Sequence, residues 1–219
     1  MATVERGRWE RHAALTGAVA VVLWVIGAII SETGASRPDE ETPENLLAWF
    51  EDEKNTILAG ELLFVLGVLF FIWFLGSLRA TLFRAEGGVG RVTSIAYGAG
   101  MLAALALILQ AAVLIQPSFL DEGILSGDGA QSLSVLSDAL FGVVELTLVP
   151  MFVAAGLVVL RTGVLPAWHG WASLLIAVVL LIIPIGWIGV IFLFPLWVLV
   201  TSVLLWLRED DAPAELSSA

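Results

Sequence analysis

Cysteine is absent from the 219 residues, histidine occurs twice, tyrosine once, and charged residues make up only 14% of the chain. Without thiols there is no disulfide framework, thiolate-bound zinc, iron–sulfur cluster or cysteine nucleophile. The two histidines, His12 and His169, fall at two different predicted membrane edges, so neither a histidine-based metal site nor a catalytic triad is expected, and no cofactor is implied. Basic residues number ten against 21 acidic ones, for a net charge of −11. No basic patch exists to neutralise phosphates, which argues against nucleic acid as a partner.

What is plentiful is apolar. Hydrophobic residues make up 59% of the chain before its 21 glycines are counted. Soluble domains average about 45–50% with glycine included, and about 25% charged. The expected partner is therefore the lipid bilayer. A hydrocarbon core of about 30 Å takes about 20 apolar residues. Six stretches meet or approach that length: 13–30, 57–78, 92–115, 139–160, 166–183 and 185–207. The last two are separated at Ile183-Pro184-Ile185-Gly186, where proline followed closely by glycine predicts a tight hairpin. The expected fold is all-α, a six-transmembrane-helix bundle.

Six crossings put Arg6, Arg8, Arg11, Arg79, Arg84, Arg91, Arg161 and Arg208 on one side and only Arg37 and Lys54 on the other. The positive-inside rule then places both termini in the cytoplasm. Trp9, Trp168, Trp171 and Trp206 fall at the inner edge and Trp187 at the outer, as an interfacial belt should. Trp24, Trp73 and Trp197 fall within spans and are read as packing residues. A cleaved signal peptide ending near Gly34-Ala35-Ser36 is the alternative for the N-terminus, but its apolar run would exceed the usual ~7–15 residues. The domain reading is a cytoplasmic N-terminus (1–12), one membrane domain (13–207) and a disordered acidic cytoplasmic tail (208–219).

The outer loop over 32–56 is expected to carry a short amphipathic helix. Thr42-Pro43-Glu44 supplies a capping hydroxyl, proline at the first helical position and a carboxylate at the positive end of the helix dipole. Leu46, Leu47, Trp49 and Phe50 give it an apolar face, either on the outer leaflet or capping the bundle. The outer loops are strongly acidic, and such an excess is read first as a solvated face.

Inside the spans, strongly polar residues are costly and so point to function. Glu61, Gln110 and Glu145 each fall roughly 7–10 Å below the outer boundary by helical rise. Gln110 ends a small-residue stripe of Ala96, Ala99, Ala103 and Ala106, suited to close helix contact. Glu145 shares a stripe with Asp138, and Pro150 deprives the nearby Leu146 carbonyl of its donor. No basic residue lies at that depth, so two such carboxylates should take up a proton or bind a cation. The candidate cation, proton or ligand site is Glu61, Glu145 and Gln110, with Asp138 at its mouth. Competing readings are Lys54 reaching down toward Glu61, or hydrogen-bonded packing without a ligand. Gly60 and Gly67 are read as helix-packing positions. Gly87-Gly88-Val89-Gly90 lacks the strand and the Lys-Ser/Thr of a phosphate loop.

Four segments carry a family resemblance: Phe70-Phe71-Ile72-Trp73-Phe74-Leu75-Gly76-Ser77-Leu78-Arg79, Arg84-Ala85-Glu86-Gly87-Gly88 with Gly90-Arg91, Leu160-Arg161-Thr162-Gly163-Val164-Leu165-Pro166-Ala167-Trp168, and Phe194-Pro195-Leu196-Trp197-Val198-Leu199. Over residues 13–207 the chain resembles a large family of uncharacterised integral membrane proteins from actinobacteria. The resemblance implies a multi-pass protein of the bacterial plasma membrane and supplies no catalytic residues. Two functional readings follow: binding or passage of a cation, proton or small molecule at the outer-leaflet carboxylates, or a non-catalytic accessory role through protein partners whose identity is unknown. An enzyme ranks third, for want of a nucleophile and base pair.

Overall fold

The computed structural model describes residues 12–121, 123–182 and 184–208, the side chain of Glu32 excepted. Arg6, Arg8, Trp9 and Arg11 and the acidic tail from Glu209 onward lie outside the described residues. Those described form helices and connecting turns, with no strand. In chain order the helices are α1 (Thr16–Gly34), α2 (Pro43–Asp52), α3 (Lys54–Glu86), α4 (Arg91–Ile115, extended by a 3-10 turn over Gln116–Phe119), α5 (Gly127–Thr162), α6 (Ala167–Leu181) and α7 (Gly186–Leu207).

Five of these, α1, α3, α4, α5 and α7, are long and apolar enough to cross a membrane. The sixth expected span is shorter: α6 has 15 residues, about 22 Å of rise against a core of about 30 Å. The break at 182–185 does separate α6 from α7, as the Pro-Gly signal predicts. Conversely, α3 and α5 have 33 and 36 residues, about 50 Å each, so both run well past any hydrocarbon layer.

The helices close into a ring. Consecutive members pack in the pairs α1/α3, α3/α4, α4/α5 and α5/α6, and α7 returns onto α1. Close crossings use residues without side chains. A Cβ on Gly60 would stand 3.1 Å from the Gly27 carbonyl oxygen, and one on Gly156 would stand 2.9 Å from the Gly170 carbonyl. The alanine stripe of α4 is buried between α3 and α5: Ala96, Ala99, Ala103 and Ala106. α6 and α7 are antiparallel. His169 meets Thr201, Ser173 meets Trp197 and Leu180 meets Gly189, each advance along one helix matched by a retreat along the other.

The middle of the ring is filled. Trp24, Phe71, Phe74, Phe152, Phe194 and Trp197 are all buried. Their rings form one contact network, including Trp24–Phe194 at 5.3 Å between centroids, Phe71–Phe194 at 5.2 Å and Phe152–Trp197 at 5.0 Å. Edge-on and tilted pairs at these separations are favourable and leave little open space between helices. Trp73 differs from expectation: it is 67% exposed. It continues an outward stripe of Leu62, Leu66 and Leu69 on α3, so within a span its surroundings would be lipid.

The two ends are built differently. At one end α2 starts at Thr42, whose hydroxyl accepts from the Asn45 N–H at 3.2 Å, with Pro43 following. Its apolar face is buried inward: Leu46 and Phe50 join Ala35, Ile57 and Ala130 in a small separate core, so α2 caps the bundle. Arg37 ties the preceding loop to α5, 3.1 Å from Asp138 and donating also to Ser134. Its Nε lies 3.1 Å from Glu41.

At the opposite end Glu86 joins α3 to α4. It accepts from the N–H groups of Val92 and Thr93 at 2.9 and 2.7 Å and from the Thr93 hydroxyl at 2.6 Å. These are orphan donors of the first turn of α4. Gly87, Gly88 and Gly90 all have φ between 56° and 69°, which permits so abrupt a reversal. That geometry accounts for the Glu-Gly-Gly-x-Gly pattern without a phosphate. Desolvation pushes the Glu86 carboxyl up, but the bonds from Thr93 and Val92 and the charge of Arg161 outweigh it. Its pKa is therefore held below the ordinary carboxylate value. Glu86 stands eight residues beyond the end of the expected span 57–78.

Candidate functional site

α1 and α7 meet only along part of their length. Towards the Glu86 end, Ser202 on α7 accepts from the Ala18 N–H at 3.2 Å and donates to the Ala14 carbonyl, closing the ring. Towards the α2 end the pair separates. A cleft of about 540 Å³ opens there, lined on α1 by Trp24, Val25, Gly27, Ala28 and Ser31 and on α7 by Val190, Ile191, Phe192, Phe194 and Pro195. Gly60, Glu61 and Phe64 of α3, Leu107, Gln110 and Leu114 of α4, and Phe141 of α5 complete it.

Local sequence shapes the α7 wall. Residues Gly189–Leu193 form a π-turn, in which the Phe194 N–H bonds to the Gly189 carbonyl. Pro195 explains why the helix widens here: it offers no N–H to the Ile191 carbonyl four residues back, and its ring crowds that carbonyl. Such wide turns often occur at functional positions. The floor is the aromatic centre, where Trp24 and Phe194 serve both regions.

Of the four expected site residues, the structure brings two together. Glu61 and Gln110, from α3 and α4, line the same cleft. Ser31, which the sequence reading passed over, joins them as a third polar group. Its hydroxyl sits where a Cβ on Gly60 would be, 2.3 Å from that position. Glu145 lies elsewhere, against the turn between α6 and α7; a Cβ on Gly186 would come within 2.5 Å of its Oε1. Asp138 is engaged by Arg37. Arg37 pairs with Glu41 and Asp138, and no described basic side chain pairs with Glu61 or Glu145. No group of three or more histidine or carboxylate side chains is gathered as a metal centre among the described residues.

A second polar cluster escaped the sequence reading altogether. His169 is 1% exposed, and its Nε2 lies 2.8 Å from the Thr201 hydroxyl. Thr201 donates its own proton to the Trp197 carbonyl at 2.6 Å, so Nε2 is the donor to Thr201. Nδ1 has no hydrogen-bond partner. Trp197 Nε1 donates to Ser173, and Ser173 to the His169 carbonyl, both at 2.8 Å. The cluster fastens α6 to α7, and none of its four residues lines the cleft. Its signal was faint: His169 and Ser173, four apart on α6, match Trp197 and Thr201, four apart on α7.

No protein-family model, curated protein or solved structure matches this chain.

Proposed function

We propose that the six helices cross the bacterial plasma membrane with both termini cytoplasmic, and that the protein binds a small ligand at Glu61 and Gln110 in the outer half of the bilayer. Five long apolar helices and a shorter sixth, arranged in a ring, support the crossing. Orientation rests on the eight basic residues that fall on one side of such a fold. The observation that carries the binding reading is the convergence of Glu61 and Gln110, from separate helices, on a cleft whose other walls are nearly all apolar. An apolar cavity of this size with a few convergent polar groups is the usual form of a ligand site.

Binding is favoured over conduction. The six aromatic side chains below the cleft pack ring against ring, and Ser202 shuts α1 against α7 beyond them. An ionised carboxylate with no basic partner among the described residues favours a cation over an anion. Equilibrium dialysis of the purified protein with tetraphenylphosphonium, a compact lipophilic cation, tests the reading. Saturable binding is expected, weakened about tenfold or more in Glu61→Gln, since a charge pair ~5 Å apart at an effective dielectric of ~20 contributes about 3 kcal/mol. Absence of saturable binding, or full binding in a folded Glu61→Gln protein, would favour the accessory-protein reading instead.

A further inference from the structure

We infer that the occupant of the cleft is a long-chain primary ammonium amphiphile that enters sideways from the outer leaflet between α1 and α7; this rests on the ligand-binding reading above.

The mouth gives the route. Val25 of α1 is 50% exposed, and Ile191 and Phe192 of α7 are 51% and 59% exposed. All three line the cleft. In a bilayer these side chains meet acyl chains, so the rim is apolar and the way in is through lipid. A molecule already dissolved in the leaflet reaches this mouth without crossing water. Its chain replaces lipid against Val25, Leu107, Ile191 and Phe192 at little cost, because lipid and these side chains are similarly apolar.

The back wall gives the head. Glu61 offers two acceptor oxygens and Gln110 a carbonyl oxygen, which suits the three donors of a primary ammonium. A quaternary ammonium would keep the charge and lose the hydrogen bonds. Trp24, Phe64, Phe141 and Phe194 add ring faces that favour a cation. No basic side chain lines the cleft, so a phosphate or carboxylate head would stand beside Glu61 without a counter-charge. That disfavours phospholipids, zwitterionic ones included, and fatty acids. Among the described side chains Glu61 is the only titratable one lining the cleft, and one positive charge matches it.

The experiment uses the full chain in phosphatidylcholine proteoliposomes with octadecylamine, octadecanol and octadecanoic acid, each carrying the same nitroxide on its chain. The motionally restricted spectral fraction reports association with the protein. Wild type should hold the amine about fivefold or more in preference to the alcohol, and exclude the acid, as expected when a charge-assisted contact is added to identical chain packing. Glu61→Gln should abolish the preference between amine and alcohol, and Glu61→Asp should restore part of it. Restriction of spin-labelled phosphatidylcholine, unchanged across the variants, certifies the fold. Equal retention of amine and alcohol by wild type, or an amine preference that survives Glu61→Gln, would overturn the inference. If tetraphenylphosphonium binds through Glu61 while octadecylamine shows no preference, the cleft takes compact lipophilic cations and only the long-chain amine is wrong; if neither binds, the ligand-binding reading falls as well.

Discussion

The two halves of the bundle, the one at the Glu86 end, inner in the proposed orientation, and the one at the α2 end, outer in it, are made from the same helices, yet one is shut and the other open. In the inner half, α1 and α7 touch through Ser202, which takes an N–H from Ala18 and gives its proton to Ala14. In the outer half, α7 carries Phe192, a π-turn and Pro195, and the two helices part around a cleft of about 540 Å³. The difference comes down to a few side chains. A small hydroxyl lets backbones approach, whereas a proline that widens a turn and aromatics that fill the approach keep them apart. The aromatic network is the partition between the two.

The largest effect is expected at that partition. Phe152 is fully buried against Phe194 and Trp197. Truncation such as Phe152→Ala usually costs ~3–5 kcal/mol in a water-soluble core. Within a membrane the transfer part largely vanishes, leaving about 2 kcal/mol or more for the cavity. Thermal unfolding in detergent should show it, and the cleft should deepen towards the inner half. An unchanged melting temperature would mean that the rings do not partition the bundle.

A smaller loss is expected in Gly60→Ala. The new methyl would stand 2.3 Å from Ser31 Oγ and 3.1 Å from the Gly27 carbonyl, pressing α1 away from α3 at the outer end. Overpacking of this kind costs about 1–3 kcal/mol, and the same melting assay reads it. A neutral result would show that the α1/α3 crossing has slack.

The smallest effect belongs to the inner connection. Because the Glu86 carboxyl is held below its ordinary value near 4.5, its ionised form stabilises the fold above that pH, and the contribution is lost as pH falls through the lowered value. Replacing a helix-capping acceptor costs about 1 kcal/mol, and less here because the group is half-exposed and screened. Glu86→Gln should therefore melt slightly below wild type at neutral pH. The gap should close on acidification towards the folded-state value; a gap that widens would contradict the capping role.

How much of this could be read in the sequence depended on the kind of question. Rise per residue fixes height along a helix, so the common level at which Glu61 and Gln110 line one cleft followed from counting along their helices. Their meeting followed from the alanine stripe that brings α4 close to α3 and α5. Azimuth is another matter. Glu145 lies on the turn side of α5, against Gly186, because α6 ends early, and a 15-residue helix where a full span was expected could not be foreseen from hydropathy alone. Trp73 illustrates the same ambiguity: in a span, lipid and core are both apolar, so an outward stripe reads like an inward one. The burial of His169 was not legible because its partners Thr201 and Trp197 lie a helix away in sequence. Thr42-Pro43 was legible because capping is local.

The absence of cysteine makes the central contrast directly measurable. In one variant, Ala18 and Ser202 become cysteines across the inner seam; in another, Ala28 and Ile191 do so across the cleft. A disulfide needs Cα atoms within about 7 Å. Under mild oxidation in membranes, the inner pair should cross-link rapidly and the outer pair should not. Equal cross-linking of both pairs, or cross-linking of the outer pair alone, would contradict a bundle that is closed within and open to the outer leaflet.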